Sequence, residues 1–206
     1  NDDLVFVPGG KVVVDGVSAK KASVDGFYID RYPVTNAEYE VFVKAESWRS
    51  PPYWVSGSVP EGLEDHPVVE VSWHDAQTYA EWRDRKLPTF EQWNRAAYGA
   101  DDRRFPWNNQ FDPSRCNTRE SEVGTTTPVG KYPNGASPFG VLDMAGNVWD
   151  WTRTSAGQDR MMICGGAWNV VAFYATRFNG RPQHPSFLNN DLGFRCVKDL
   201  CGTVNT

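Results

Sequence analysis

No apolar run in the 206-residue chain approaches the ~20 residues that a membrane-crossing helix needs. An excess of positive charge is missing as well: 21 Lys and Arg against 26 Asp and Glu leave a net charge of −5, so neither nucleic acid nor an anionic membrane surface is an expected partner. Histidine is scarce, with three in all, and the four cysteines (Cys116, Cys164, Cys196 and Cys201) form no CxxC pair, which disfavours a zinc ribbon or a redox dithiol. A Cys164–Cys196 bridge and unpaired buried thiols both fit these spacings. Tandem repeats and low-complexity linkers are also lacking. The chain opens on Asn1 rather than methionine, as expected of a processed, tagged or truncated chain whose targeting segment, if any, lay in the part removed.

What is plentiful is aromatic bulk and turn-forming residues. Nine Trp and a 40% hydrophobic content supply a sizeable core, while 14 Pro and 18 Gly interrupt regular structure. One domain of short strands, few helices and much ordered loop is the expectation. From Leu4 to Ile29 the runs LVFVP, KVVVDG and SVDGFYID read as antiparallel strands closed by Gly, Pro or Asp. Helix starts follow where a capping residue precedes an acid or amide by three: Thr35 with Glu38, Ser72 with Asp75, and Thr89 with Gln92. These predict helices over about 36–45, from 73 to about 85, and over 90–98, the last closed by Gly99. Between the first two, Trp48, Tyr53 and Trp54 are expected to cover the core, and PVVEVSW reads as a short strand. Residues 101–136 and 152–206 carry little period and predict long ordered loops, which commonly bind something.

The stretch Ser137 to Trp151, SPFGVLDMAGNVWDW, combines permissive glycines, Gly140 and Gly146, with the hard oxygens of Asp143 and Asp150. Trp149 and Trp151 would share one face if the segment is extended. A buried tryptophan corner with capping aspartates and a small Ca²⁺ site are the two readings.

Seven runs in order, RYPVTNAEYEVFV, HPVVEVSWHDAQTYAEW, KLPTFEQWNRAAYG, NTRES, TTPVGKYPNGASPFGVLDMAGNVWDWT, GGAW and LGFRC, make the chain resemble the formylglycine-generating-enzyme family. That resemblance implies an α+β, C-type-lectin-like fold of the formylglycine-generating-enzyme type as a single domain over 1–206. Catalytic members carry a copper-binding cysteine pair just after the GGSW-like residues; here those places fall on Val170 and Ala175, which bind no soft metal and supply no thiolate. Copper and formylglycine generation are therefore not expected. Related iron-dependent sulfoxide synthases use three histidines, and iron is not expected either: His66 and His74 read as structural or surface residues, leaving His184. By the same resemblance a structural Ca²⁺ would be held by the side chains of Asp143 and Asp150 and the carbonyls of Gly146 and Val148. A second Ca²⁺ would use Asn117, Thr118 and Glu122.

Between GGAW and LGFRC, the segment 169–191 also looks like that of the variable proteins of diversity-generating retroelements, non-catalytic members of this fold. Val, Phe, Tyr, His, Ser and Leu codons are all reachable from asparagine codons by changing adenines alone; Gln183 is not. Val170, Val171, Phe173, Tyr174, Phe178, Phe187 and Leu188 put apolar bulk where a surface loop is normally polar. The expected face thus has aromatic anchors Phe173, Tyr174, Phe178 and Phe187, with Asn169, Thr176, Asn179, His184, Ser186 and Asn189 as polar partners. Arg177, Arg181 and Arg195 are assigned to the scaffold. The implied activity is binding of a protein or other macromolecule, displayed on a cell or virion surface. A metal-dependent oxidase or sulfoxide synthase of the same family is the alternative, and a carbohydrate-binding lectin a third.

Overall fold

The computed structural model describes residues 3–13 and 21–200. The N-terminal apolar runs become four strands: β1 (Leu4–Val7), β2 (Gly10–Val13), β3 (Lys21–Val24) and β4 (Phe27–Asp30). Alternation decides their faces, since Val5, Val7, Phe27 and Ile29 are buried while Phe6 and Tyr28 stay outside. β1 and β4 pair antiparallel with Val5 opposite Ile29 and Val7 opposite Phe27, and β2 pairs separately with β3.

The three helices are α1 (Asn36–Glu46), α2 (Trp73–Trp82) and α3 (Phe90–Tyr98), each opened by the complete capping box that the sequence predicts. Each cap stabilises its helix by about 1 kcal/mol. α2 ends before the expected Arg85 because Asp84 turns left-handed at φ 53°. Trp54 is buried in the core over α1, with Trp48 and Tyr53 packed at its edge.

Two predicted local structures do not form as expected. PVVEVSW makes no strand: Glu70 at φ 54° breaks the extended run, leaving one bridge from Pro67 to Thr35, although Val68, Val69 and Val71 are still buried. Conversely, the region beyond 152 is no continuous loop. It holds most of β5 (Trp149–Gly157), then β6 (Arg160–Cys164), β7 (Arg181–Gln183), β8 (Leu192–Gly193) and β9 (Val197–Asp199). Gln158 and Asp159, both left-handed at φ 49° and 54°, join β5 to β6 in place of the Asn-Gly that would have announced the hairpin. The sheets run β1-β4-β9 and β7-β6-β5-β8, with β5 and β8 parallel. Residues 101–136 are irregular as expected, punctuated by single 3₁₀ turns.

β5 lies between two apolar clusters. Trp149 and Trp151 join Tyr39, Phe42, Tyr79 and Phe194 on the α1–α2 side; Trp93, Ala96, Met144 and the inner faces of β1 and β4 form the other. A third, small cluster holds Cys116, Ala145 and Ala175. Cys116, Cys164 and Cys196 are free, buried and divided among the three clusters, so the Cys164–Cys196 bridge is not made. Cys201 lies outside the described residues.

Candidate binding face over residues 169–191

The platform beneath the face is the 137–151 stretch. Gly140, Asp143, Gly146 and Asn147 all take left-handed backbone, at φ 84°, 54°, 77° and 65°, and fold the stretch back on itself. At Gly146 a Cβ would lie 2.2 Å from the Asn117 carbonyl oxygen, so only glycine fits. Asn147 locks the turn: its N–H donates to the Asn117 carbonyl at 2.7 Å, and its side chain accepts from the Thr127 N–H at 2.9 Å and donates to the Thr127 carbonyl at 3.1 Å.

The residues implied for Ca²⁺ have other partners here. The buried Asp143 carboxylate accepts the Gly130 N–H at 2.7 Å, and burial pushes its pKa up. Asp150 Oδ2 accepts from Arg195 Nε at 2.7 Å and Trp93 Nε1 at 2.8 Å, while its Oδ1 is buried without a hydrogen-bond partner among the described residues. Arg195 also donates to the carbonyls of Leu142 at 3.0 Å and Asp143 at 2.9 Å, so a side-chain cation sits among these oxygens. Gly146 and Val148 flank Asn147 in the same turn. At the second implied position Asn117 and Thr118 are fully buried, but Glu122 is exposed at φ 55°, and it is Glu120 that accepts the Thr118 hydroxyl at 2.8 Å. Among the described residues no three His, Cys, Asp or Glu side chains are grouped to hold a metal. His66 is structural, its Nδ1 2.9 Å from Thr126 Oγ1, while His74 and His184 are exposed.

Gly165 and Gly166, at φ 102° and 73°, aim the chain into the segment. A Cβ on Gly166 would come within 2.9 Å of the Ala175 backbone, and Ala175 is sealed in the third cluster. Val170 sits half-buried at the rim of a cavity of about 290 Å³. The two positions that the resemblance implies for the thiols thus hold, at Ala175, a sealed methyl and, at Val170, a rim isopropyl group. No described cysteine replaces them: burial pushes the Cys116 thiol up to about 12 and those of Cys164 and Cys196 well above their ordinary value, so none is a ready thiolate.

Backbone hydrogen bonds pin the segment at intervals. The Val170 carbonyl accepts from Arg119 N, Glu120 Oε1 takes the Ala172 N–H at 2.8 Å, Arg181–Gln183 pair with β6, the Pro185 carbonyl accepts from Trp73 N, and the Asn189 carbonyl accepts from Glu70 N. Course is thus fixed by main chain, leaving side chains to face outward. Phe173, Phe178, Phe187 and Leu188 do so, at 55%, 42%, 40% and 42% exposure. Val170, Val171 and Tyr174 are half-buried, and Val170 and Tyr174 pack on the α1–α2 core. His184 and Ser186 are exposed, and Asn169, Asn179 and Asn189 half-buried. Thr176 corrects the expectation: it is 7% exposed with its hydroxyl donated to the Phe173 carbonyl, because the turn preceding it closes on that oxygen. Asn179 is partly committed in the same way, donating to the Phe173 carbonyl at 2.8 Å.

Arg177 and Arg195 serve the scaffold as expected, but Arg181 does not. Its guanidinium lies 4.2 Å from the Tyr174 ring centroid and 5.9 Å from that of Trp149, on the same 290 Å³ cavity. No local pattern reveals this stack, since the β6–β7 pairing brings Arg181 to the rings. The face as a whole offers aromatic area, the stacked guanidinium of Arg181 and amide and hydroxyl hydrogen-bonding groups, with the Asp191 carboxylate, its pKa raised by burial, at the edge of the cavity.

A family model for the sulfatase-modifying factor enzyme 1-like domain matches residues 1–200. The inactive C-alpha-formylglycine-generating enzyme 2 of Mus musculus is 30% identical, over 94% of this chain and 85% of that protein. The formylglycine-generating enzyme of Mus musculus is 29% identical, over 91% of this chain and 70% of its own length. Relatives thus include both an inactive protein and an active one. Among solved structures, Treponema denticola variable protein 1 has the same fold with a TM-score of 0.76 at 16% identity, covering 95% of this chain and 94% of that one. The α+β, C-type-lectin-like architecture is the expected one, and the chain belongs to the sulfatase-modifying factor enzyme 1-like, or formylglycine-generating-enzyme, family.

Proposed function

We propose that this chain is a non-catalytic, ligand-binding member of the family, a retroelement-type variable protein that meets a protein or other macromolecule through residues 169–191. The observation that carries the reading is the pairing of a main-chain-pinned segment with four exposed large apolar side chains, where Val170 and Ala175 stand in the thiol positions. Exposed large apolar side chains on a rigid course are costly in water unless a partner covers them. The fold likeness to Treponema denticola variable protein 1 supports the same reading. Surface display on a cell or virion goes with it. Sequencing the encoding locus is the test: a near-identical template repeat differing at adenines, beside a reverse transcriptase, is expected, and the absence of both sinks the retroelement reading. Stoichiometric copper or iron with oxygen consumption on a thiol substrate would instead establish an oxidase.

A structural Ca²⁺ held by Asp143, Gly146, Val148 and Asp150 is part of the proposal, supported by the unpartnered Asp150 Oδ1. Bound there, the ion would complete the oxygens of the 143–150 turn beside Arg195. EDTA is then expected to lower the melting temperature of the wild type and to leave Asp150→Ala unmoved; a wild type indifferent to EDTA removes the calcium.

A further inference from the structure

A strongly cationic hollow touches the 169–191 face at its other end from the Arg181 stack. A cavity of about 710 Å³ opens between the ends of β2 and β3, the loop 101–104 and residues 173–179. Among the described residues, Lys21, Arg103, Arg104 and Arg177 line it against one carboxylate, Asp102, in a molecule whose net charge is −5. Arg177 forms the floor. Its side chain is 2% exposed, its guanidinium is held by the carbonyls of Asp101 and Val13, and its Nε has no hydrogen-bond partner among the described residues. Among the described residues the nearest carboxylate oxygen, on the 96%-exposed Asp102, is 4.0 Å away. Burial lowers the Arg177 pKa from its ordinary value, the mark of a cation short of negative charge. Of the others, Arg103 is paired with Asp101, whereas Lys21 and Arg104 make no ion pair among the described residues. Two exposed rings stand at the mouth, Phe173 and Phe178. Phe178 is held over Arg177, 5.0 Å from ring centroid to guanidinium, by left-handed backbone at φ 71°, a conformation rare for a bulky residue.

We propose that this cavity receives an acidic segment of a protein partner, a carboxylate entering above Arg177 with an apolar side chain beside Phe173 and Phe178. The inference rests on the binding-face reading above and specifies its ligand. A cation desolvated without full compensation gains most from a carboxylate that arrives already attached to apolar surface. A protein segment fits better than a nucleic acid because Asp102 lines the cavity and the whole molecule is acidic, which repels an extended polyanion but tolerates one or two carboxylates.

A random heptapeptide display library selected against the intact folded chain tests this, with the enriched peptides then measured on wild type, Arg104→Glu, Lys21→Glu and Phe187→Ala, each checked for an unchanged thermal melt. Expected are peptides pairing Asp or Glu with Phe, Tyr, Trp or Leu, whose affinity falls about tenfold with Arg104→Glu or Lys21→Glu and falls further as salt rises. Neutral peptides that ignore Arg104→Glu but are lost with Phe187→Ala overturn the acidic ligand and leave the binding face standing. Peptides indifferent to all three substitutions overturn both. Binding of a single-stranded oligonucleotide that Arg104→Glu abolishes also overturns the proposal, by assigning the cavity to nucleic acid.

Discussion

Asp150 and Arg195 face each other with side chains 1% and 0% exposed, so each charge depends on the other for compensation. Replacing Asp150 by Ala strands the Arg195 guanidinium among carbonyls and leaves the Trp93 indole unpaired. Unfolding by urea is expected to register a loss of about 3–5 kcal/mol. A loss near zero would mean that Arg195 escapes to water or that the platform tolerates its rearrangement. His66 gives a pH signature of its own. Partial burial lowers its pKa from the ordinary 6.5, so below that value the native state binds fewer protons than the unfolded chain. Its contribution is complete above pH 6.5 and is lost as pH falls through the unfolded value toward the folded one. The difference in melting temperature between wild type and His66→Asn, followed from pH 7.5 to 5, is expected to shrink on acidification; a constant difference contradicts it.

Among elements, the turn at Gly146 separates steric from torsional cost. Gly146 and Gly124 have nearly equal φ, 77° and 76°, but a Cβ on Gly146 meets the Asn117 carbonyl at 2.2 Å and one on Gly124 meets nothing within 4 Å. Gly124→Ala is expected to cost about 1 kcal/mol, the left-handed penalty alone. Gly146→Ala should cost well over 2 kcal/mol, because the Asn117–Gly146 bridge and the Asn147 lock must separate. Equal losses in denaturant titrations of the two variants would show that this turn can shift. β5 explains why the platform matters to the face: Trp149 lines the cavity beneath Arg181 and also takes the Asp191 carbonyl on its N–H at 2.8 Å, so turn, strand and segment end move together.

For the whole molecule, binding face and scaffold use different apolar residues. Phe187→Ala and Leu188→Ala, both at about two-fifths exposure, are expected to change stability by about 0.5 kcal/mol or less. Phe194→Ala, fully buried against Tyr39 and Tyr79, should cost about 3–5 kcal/mol. Thermal melts of the three variants decide it, and a large loss at Phe187 or Leu188 would return that residue to the core. No helix among the described residues is long and apolar enough to cross a membrane.

The sequence by itself determined the family, the three capped helices and the tryptophan corner. Capping and turn chemistry act within four residues, and family motifs are read without knowing contacts. Tertiary structure decided the rest. The β5–β6 hairpin is set by pairing rather than by period, and Glu70 yields its strand to the Asn189 contact. Asp150 finds Arg195 45 positions away. Arg181 reaches Tyr174 and Trp149 only through a sheet edge. These outcomes depend on contacts far apart in the chain, for which irregular segments rich in Asn, Gly, Pro and aromatics carry no local periodic signal.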